Sequence, residues 1–347
     1  MQQNYNFKNL VFISLLLREE VIMKKNKCSF KDKATWLIYY TFNYIRRKFN
    51  SLMQVLGIKI RIPIKFGKNL LTPNEANKTI SDLILKGEPA MVARFGGNEA
   101  LCTAEWIGIQ KGIKNHFSKN ILDRMHLNAG LFPYGKDMAK RFAQLSCESA
   151  KEVDFLGAWN SPMQDYLVKY ECRPEIQITN LGGLEPYLSD NPWSAALKGK
   201  KVLVIHPFKE TIEEQYKKRE LLFENPDVLP EFELHVMKAV QTIAGEKDER
   251  FKNWEEALDY MHKTALEYDF DVAIIGCGAY GMPLAAKLKQ SGKIAIHLGG
   301  ATQLLFGIKG ARWDNDKRGK LYNEHWVRPS ESEKPKSAKK IENACYW

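Results

Sequence analysis

Short apolar runs that stop at glycine set the rhythm of this chain. Val272–Ile275 is wholly apolar and ends in Gly276, Gly278 and Gly281, and a periodic apolar segment opening near Pro283 follows. That order predicts strand, tight loop and helix, with Pro283 suited to a first helical turn. The same unit recurs over residues 90–110, where a short apolar strand meets Gly96-Gly97 and a helix runs from Asn98 to about Gln110. Further strands are expected over 153–159, 176–180, 200–206, 233–243 with its loop, and 293–298. Val202 to Ile205 is apolar at every position, so this strand is buried on both faces, as in a parallel sheet. Helices are expected over 34–56, over 72–86 from the Thr72-Pro-Asn-Glu75 capping pattern, over about 211–223, and over 254–268. Residues 301–306 read as a short helix start over the sheet edge, and 113–150 as mostly helical. Strand alternating with helix predicts an α/β chain, a Rossmann-like, mostly parallel sheet flanked by helices, with a basic N-terminal helical extension.

Charge divides the chain. Residues 1–68 carry 14 Lys and Arg against three acids, whereas the remaining 38 basic residues are matched by 38 acidic ones. A neutral body argues against nucleic acid as the main partner, because binding to a phosphate backbone needs a basic face. Three divisions follow: a basic leader with an amphipathic helix at 1–68, a globular body at 69–327, and a tail at 328–347 that is rich in Pro, Ser, Glu and Lys before Trp347. Residues 1–22 read as an ill-ordered leader ahead of a second natural start at Met23, with a secretory signal as the alternative. The dense aromatic run from Trp36 to Ile45 followed by Arg46-Arg47-Lys48 suits either packing on the domain or the headgroup region of an anionic membrane, which residues 24–56 would meet. Six cysteines without a CxxC pair point to reduced thiols rather than zinc or disulfides. No stretch has the roughly 20 apolar residues a bilayer span needs.

The literal GxGxxG at Gly276, Gly278 and Gly281 raises a dinucleotide site. Such a site requires a carboxylate about 20 positions on to hold the ribose. The next strand instead closes on His297 with Gly299 and Gly300 beyond it. A dinucleotide oxidoreductase is therefore the weaker reading, and a nucleotide or sugar-diphosphate site at the strand ends is the stronger one. Glycines allow a ligand close to the backbone, and a helix start favours phosphate.

Candidate chemistry falls at the ends of strands. Arg94 precedes Gly96, Gly97 and Asn98, and Glu99 stands in the first helical turn either as a dipole partner or as a carboxylate aimed into the cleft. Glu185 lies in the loop after Gly182-Gly183, and His206 ends the strand at 200–206. Arg219 falls on the apolar stripe of the helix expected over 211–223 and needs a partner, a buried acid or a diphosphate. Arg312-Trp313 and His325-Trp326 suit stacking on a base or sugar, or packing that closes the domain.

Arg94-Phe-Gly-Gly-Asn-Glu99 resembles the RFGDGE motif of the bacterial GT-D glycosyltransferase fold family. The strand, loop, helix and strand from Asp271 through Gly281 to Gly300 resemble that family's final unit, and His206-Pro-Phe208 with the tail over 329–347 is similar to a GT-D-like branch found among surface-polysaccharide proteins. The resemblance covers about residues 72–347. It implies a glycosyltransferase that takes a nucleotide-diphosphate sugar and a polysaccharide, lipid-linked or protein-glycan acceptor, working in the cytoplasm or peripherally on the inner membrane face. In the family an Asp-x-Glu pair is associated with Mg or Mn and the nucleotide sugar. Here Gly97 holds the Asp position and only Glu99 matches, so Glu99 is the one metal ligand implied, and a non-catalytic scaffold in polysaccharide assembly is a live alternative. The implied roles are Glu99, Glu185 or His206 as base, and Arg94, Gly96, Gly97, Asn98, Gly276, Gly278, Tyr280, Gly281, His297, Gly299, Gly300, Gln303 and Arg219 around the nucleotide sugar.

Overall fold

Apolar segments of four to six residues become strands β1 (Ala90–Ala93), β2 (Phe155–Ala158), β3 (Gln177–Asn180), β4 (Lys201–His206), β5 (Glu233–Lys238), β6 (Val272–Ile275) and β7 (Ile294–His297). In the computed structural model, which describes residues 28–335 and 345–347, they form one sheet in the order β3-β2-β1-β7-β6-β4-β5, with every neighbouring pair parallel. The leader at 1–22 and the tail segment 336–344 lie outside the described residues. The main helices are α1 (Phe30–Val55), α2 (Pro73–Lys86), α3 (Gly97–Gln110), α4 (Lys119–Leu127), α5 (Lys136–Glu152), α6 (Gln164–Tyr170), α7 (Lys209–Tyr216), α8 (Trp254–Leu266), α9 (Gly281–Gln290) and α10 (Thr302–Leu305).

Alternation along each strand builds two cores. Met91, Leu203, Ile205, Ala273 and Ile275 face α3, α5, α8 and α9, while Val92, Val202, Val204, Ile274 and Ile296 face α2, α7 and α10. Because both faces are covered, the inner strands β2, β1, β7, β6 and β4 carry no polar side, whereas the edge strands β3 and β5 do. The chain leaves β1 toward the first face and leaves the adjacent β7 toward the second. Such a divergence opens a crevice at the carboxyl ends of the strands, where α/β sheets bind ligands.

Local chemistry sets the helix ends. Thr72 and Glu75 form a full capping box and Gly87 closes α2 in the left-handed region. Ser29 accepts the Asp32 amide at 3.1 Å, so α1 begins four residues before the expected start at 34. The helix expected over 211–223 stops at Tyr216. Beyond it Leu222 is buried and Phe223 packs edge-on against Trp326, a placement that one continuous stripe cannot provide.

α1 is fastened to the body. Trp36 is 1% exposed, donates Nε1 to the Ala104 carbonyl at 3.2 Å, and covers Gly108 so closely that a Cβ there would lie 2.7 Å from its ring. Asn43 donates to the Asp165 carboxylate at 3.0 Å, and Ile64 and Phe66 join the same core.

Candidate functional site

The rim begins with Arg94 at the end of β1. Next come Gly96, the N-cap of α3, and Gly97 and Asn98 in its first turn, all partly exposed at the rim. A Cβ on Gly96 would sit 2.1 Å from Oε2 of Glu99, so the carboxylate folds directly over the Gly96 backbone. Trp159, just past β2, donates Nε1 to the Phe95 carbonyl at 2.8 Å, covers Gly97, and offers its ring to the Arg94 guanidinium at 5.4 Å. On its other side Arg94 meets the loop after β7, where Gly299 holds the left-handed φ of 64° and a Cβ would lie 3.6 Å from Arg94 Cδ. Burial lowers the Arg94 pKa, opposed by Tyr346 and Glu99 and reinforced by Arg312.

The turn after β6 comes next along the rim, with β7 between. Gly276 is wedged between His206 and Thr302, where a Cβ would meet His206 Cδ2 at 2.4 Å, and a Cβ on Gly281 would lie 2.1 Å from the His297 ring. Gly278 takes the left-handed φ of 59°. Tyr280 stacks on Trp254 with ring centroids 4.6 Å apart and shares a 3.0 Å hydrogen bond with Thr242, so its hydroxyl is already engaged. Gln303 donates Nε2 to the Lys309 and Tyr346 carbonyls at 3.0 and 3.1 Å, and its buried Oε1 has no protein partner.

Both histidines at the strand ends are neutral. Burial holds His206 down at about 3, and its Nδ1 accepts the Phe208 amide at 3.0 Å, which leaves the ring proton on Nε2. His297 is also held at about 3, by burial first and by Arg94 second, and its Nδ1 has no hydrogen-bond partner. Glu185 is 3% exposed and is gripped by Arg318 through two hydrogen bonds of 2.6 Å. His206 and Glu185 are thus both tied into the fold, and Glu99 stands on the rim beside Arg94.

Arg219 is a correction. It stacks over Tyr216 at 5.6 Å and pairs with Glu220 and with Glu231, which precedes β5 at the amino edge of the sheet. The end of α7 at Tyr216 carries Arg219 away from the carboxyl rim, so it cannot hold a diphosphate there. Arg312 packs on Tyr346 at 4.5 Å and Trp313 is buried in the core.

A cavity of about 100 Å³ lies over the ends of β4 and β6, bounded by Phe208, Gly276, Gly278, Tyr280, Gln303 and the tail residues Tyr346 and Trp347. The Tyr346 ring rests on Gly300, where a Cβ would come within 2.4 Å of it, and so stands between the cavity and the Arg94 half of the rim. Three contributors gave no local signal of their roles. Trp159 follows a strand end as Arg94 does, Arg318 reaches Glu185 across 133 residues, and Tyr346 arrives from the far tail.

The donor set does not fit a resident Mg or Mn. Among the described residues no group of three His, Cys, Asp or Glu side chains comes together, and Glu99 stands beside a guanidinium rather than a second carboxylate.

A parallel sheet covered on both faces, with its crevice at the carboxyl rim, defines a doubly wound α/β protein. Two solved structures of domain of unknown function 1792 are similar to this chain. One is described as having a distinct glycosyltransferase fold and matches with 13% identity and a TM-score of 0.37. The other, a selenomethionine-substituted form, matches with 14% identity and a TM-score of 0.38. Each alignment covers 76% of this chain and 96% of the other. No family model matches the sequence, and no curated protein does.

Proposed function

We propose that the chain is a glycosyltransferase that takes a nucleotide-diphosphate sugar. The observation that carries this reading is the Arg94 guanidinium, flanked by Trp159 and Gly299, on the same rim as the glycine turn at 276–281. A diphosphate spanning that rim meets a fixed cation at one end and the N-terminus of α9 at the other. The cavity accepts one ring, a base or a sugar, against Phe208 and Trp347. Pockets for whole ligands run to about 300 Å³ or more, so the remainder of a donor requires Tyr346 to lift from Gly300.

In the reaction the acceptor hydroxyl oxygen bonds to the anomeric carbon, the bond from that carbon to the diphosphate oxygen breaks, and the hydroxyl proton passes to a carboxylate. Glu99 is the base in this reading, as a carboxylate in the first turn of α3 next to the Arg94 that faces the proposed diphosphate. Arg94 stabilises the charge that gathers on the departing diphosphate. The acceptor is a glycan or a lipid-linked sugar.

Release of nucleoside diphosphate from a panel of donors, with acceptor supplied, tests the proposal. Glu99→Gln should bind donor normally and turn over about 100-fold more slowly or worse. Gly97 at the Asp position and the tail over Gly300 favour one other reading, a non-catalytic scaffold. It predicts no turnover in either protein.

A further inference from the structure

α1 leaves a row of apolar side chains in the open. Its inward face packs Trp36, Tyr39 and Tyr40 on the core and buries Asn43 and Arg46, whereas Leu37, Ile38, Phe42, Ile45, Leu52, Val55 and Leu56 are all exposed, from 45% to 81%. Ile38, Ile45 and Leu52 repeat every seven residues and so run along a single side of the helix. Ile58 and Ile60 extend the exposed apolar surface beyond the helix.

Beside that stripe lies a hollow of about 540 Å³ lined by Tyr44, Arg46, Arg47, Lys48, Asn50 and Arg61 among others, with no carboxylate in its wall. Lys48 sits between Ile45 and Leu52 on the outer face, so stripe and hollow share a border. Arg46 is 2% exposed, and its Nε has no hydrogen-bond partner. Its other nitrogens make only long contacts, 3.4 Å to Asn43 and 3.5 Å to the Ile62 carbonyl. Asp165 offsets the Arg46 charge from inside, but the Nε donor stays unmet, and an anion in the hollow would also meet the charges of Arg47, Lys48 and Arg61. Residues 30–68 hold nine Lys and Arg against one acid, Asp32.

We propose that this face binds an anionic phospholipid bilayer. The apolar stripe enters the acyl boundary, and a headgroup phosphate sits in the hollow among Arg46, Arg47, Lys48 and Arg61. No helix among the described residues is long and apolar enough to cross a membrane, so α1 lies along the surface. The face adjoins the candidate site. Ile64 donates its amide to Asn160 Oδ1 at 3.1 Å, and Asn160 follows Trp159, the residue stacked on Arg94. The proposal does not depend on the chemistry assigned to the rim.

Co-sedimentation of the full chain with phosphatidylcholine vesicles, with and without phosphatidylglycerol, tests it. The chain should bind the anionic vesicles and release at high salt. Arg47→Ala with Arg61→Ala, and separately Ile45→Ser with Leu52→Ser, should each weaken binding about tenfold or more while leaving thermal unfolding unchanged, since all four side chains are exposed. Equal binding to neutral vesicles, or wild-type binding by either double variant, overturns the proposal. So does stabilisation by inorganic phosphate without vesicle binding, which would make the hollow a site for soluble anions. Concentration-dependent self-association without vesicle binding would assign the stripe to a second copy. Vesicle binding that appears only when residues 1–22 are removed would assign it to the leader.

Discussion

Arg94 and Glu99 stand side by side on the rim, yet their predicted effects differ in kind. Arg94→Ala removes a cation facing the proposed diphosphate and should weaken binding of the donor itself, whereas Glu99→Gln keeps the shape and removes only the proton acceptor. The histidines give a prediction about stability. His206 and His297 have folded values of about 3 against an ordinary 6.5, so the unfolded chain takes up their protons first as the pH falls. Their contribution to stability is complete above about pH 6.5 and is lost progressively toward pH 3. Urea midpoints measured across that window should fall with pH, and less steeply in His297→Gln. At this scale the sequence was readable wherever a residue ends a strand, because position along the sheet then fixes the edge it reaches: Arg94, His206 and the glycines all lie on the rim. It was not readable where a contact crosses the chain, as with Arg318 on Glu185, or where a helix stops early, as with Arg219.

Elements were legible in proportion to their local signals. The capping box at Thr72 and the apolar strands appear where the pattern put them, since those signals act within a few residues. Thr72→Ala should cost about 1 kcal/mol, measured by denaturant unfolding. α1 is different, because periodicity reveals its length but not which side packs. The packed side carries Trp36, Tyr39 and Tyr40 along with the buried Asn43 and Arg46, and a second set of apolar residues is left exposed. Trp36→Ala should destabilise the whole protein by about 3–5 kcal/mol in the same measurement, because its ring fills the space over Gly108. Deleting residues 1–56 would strip that ring from the core, so surface substitutions on α1 are the cleaner probes of membrane binding.

At the scale of the whole molecule, segments far apart in the chain meet on one rim. Seven parallel strands bring three glycine-bearing loops to a shared rim, and the far tail lays Tyr346 across Gly300 between them. Strand order follows from no single segment, so the adjacency of β1, β7 and β6 became visible only in the folded chain. In the proposed function the donor competes with the tail for the surface of Gly300, and Tyr346→Ala should tighten its binding. The most direct test is calorimetric titration of nucleoside-diphosphate sugars into the full chain, Arg94→Ala and Tyr346→Ala. The account predicts saturable binding of at least one sugar nucleotide by the full chain, about tenfold or more weaker in Arg94→Ala, the scale of a lost charge-assisted hydrogen bond. Binding unchanged by Arg94→Ala, or no binding by either the full chain or Tyr346→Ala, would contradict it.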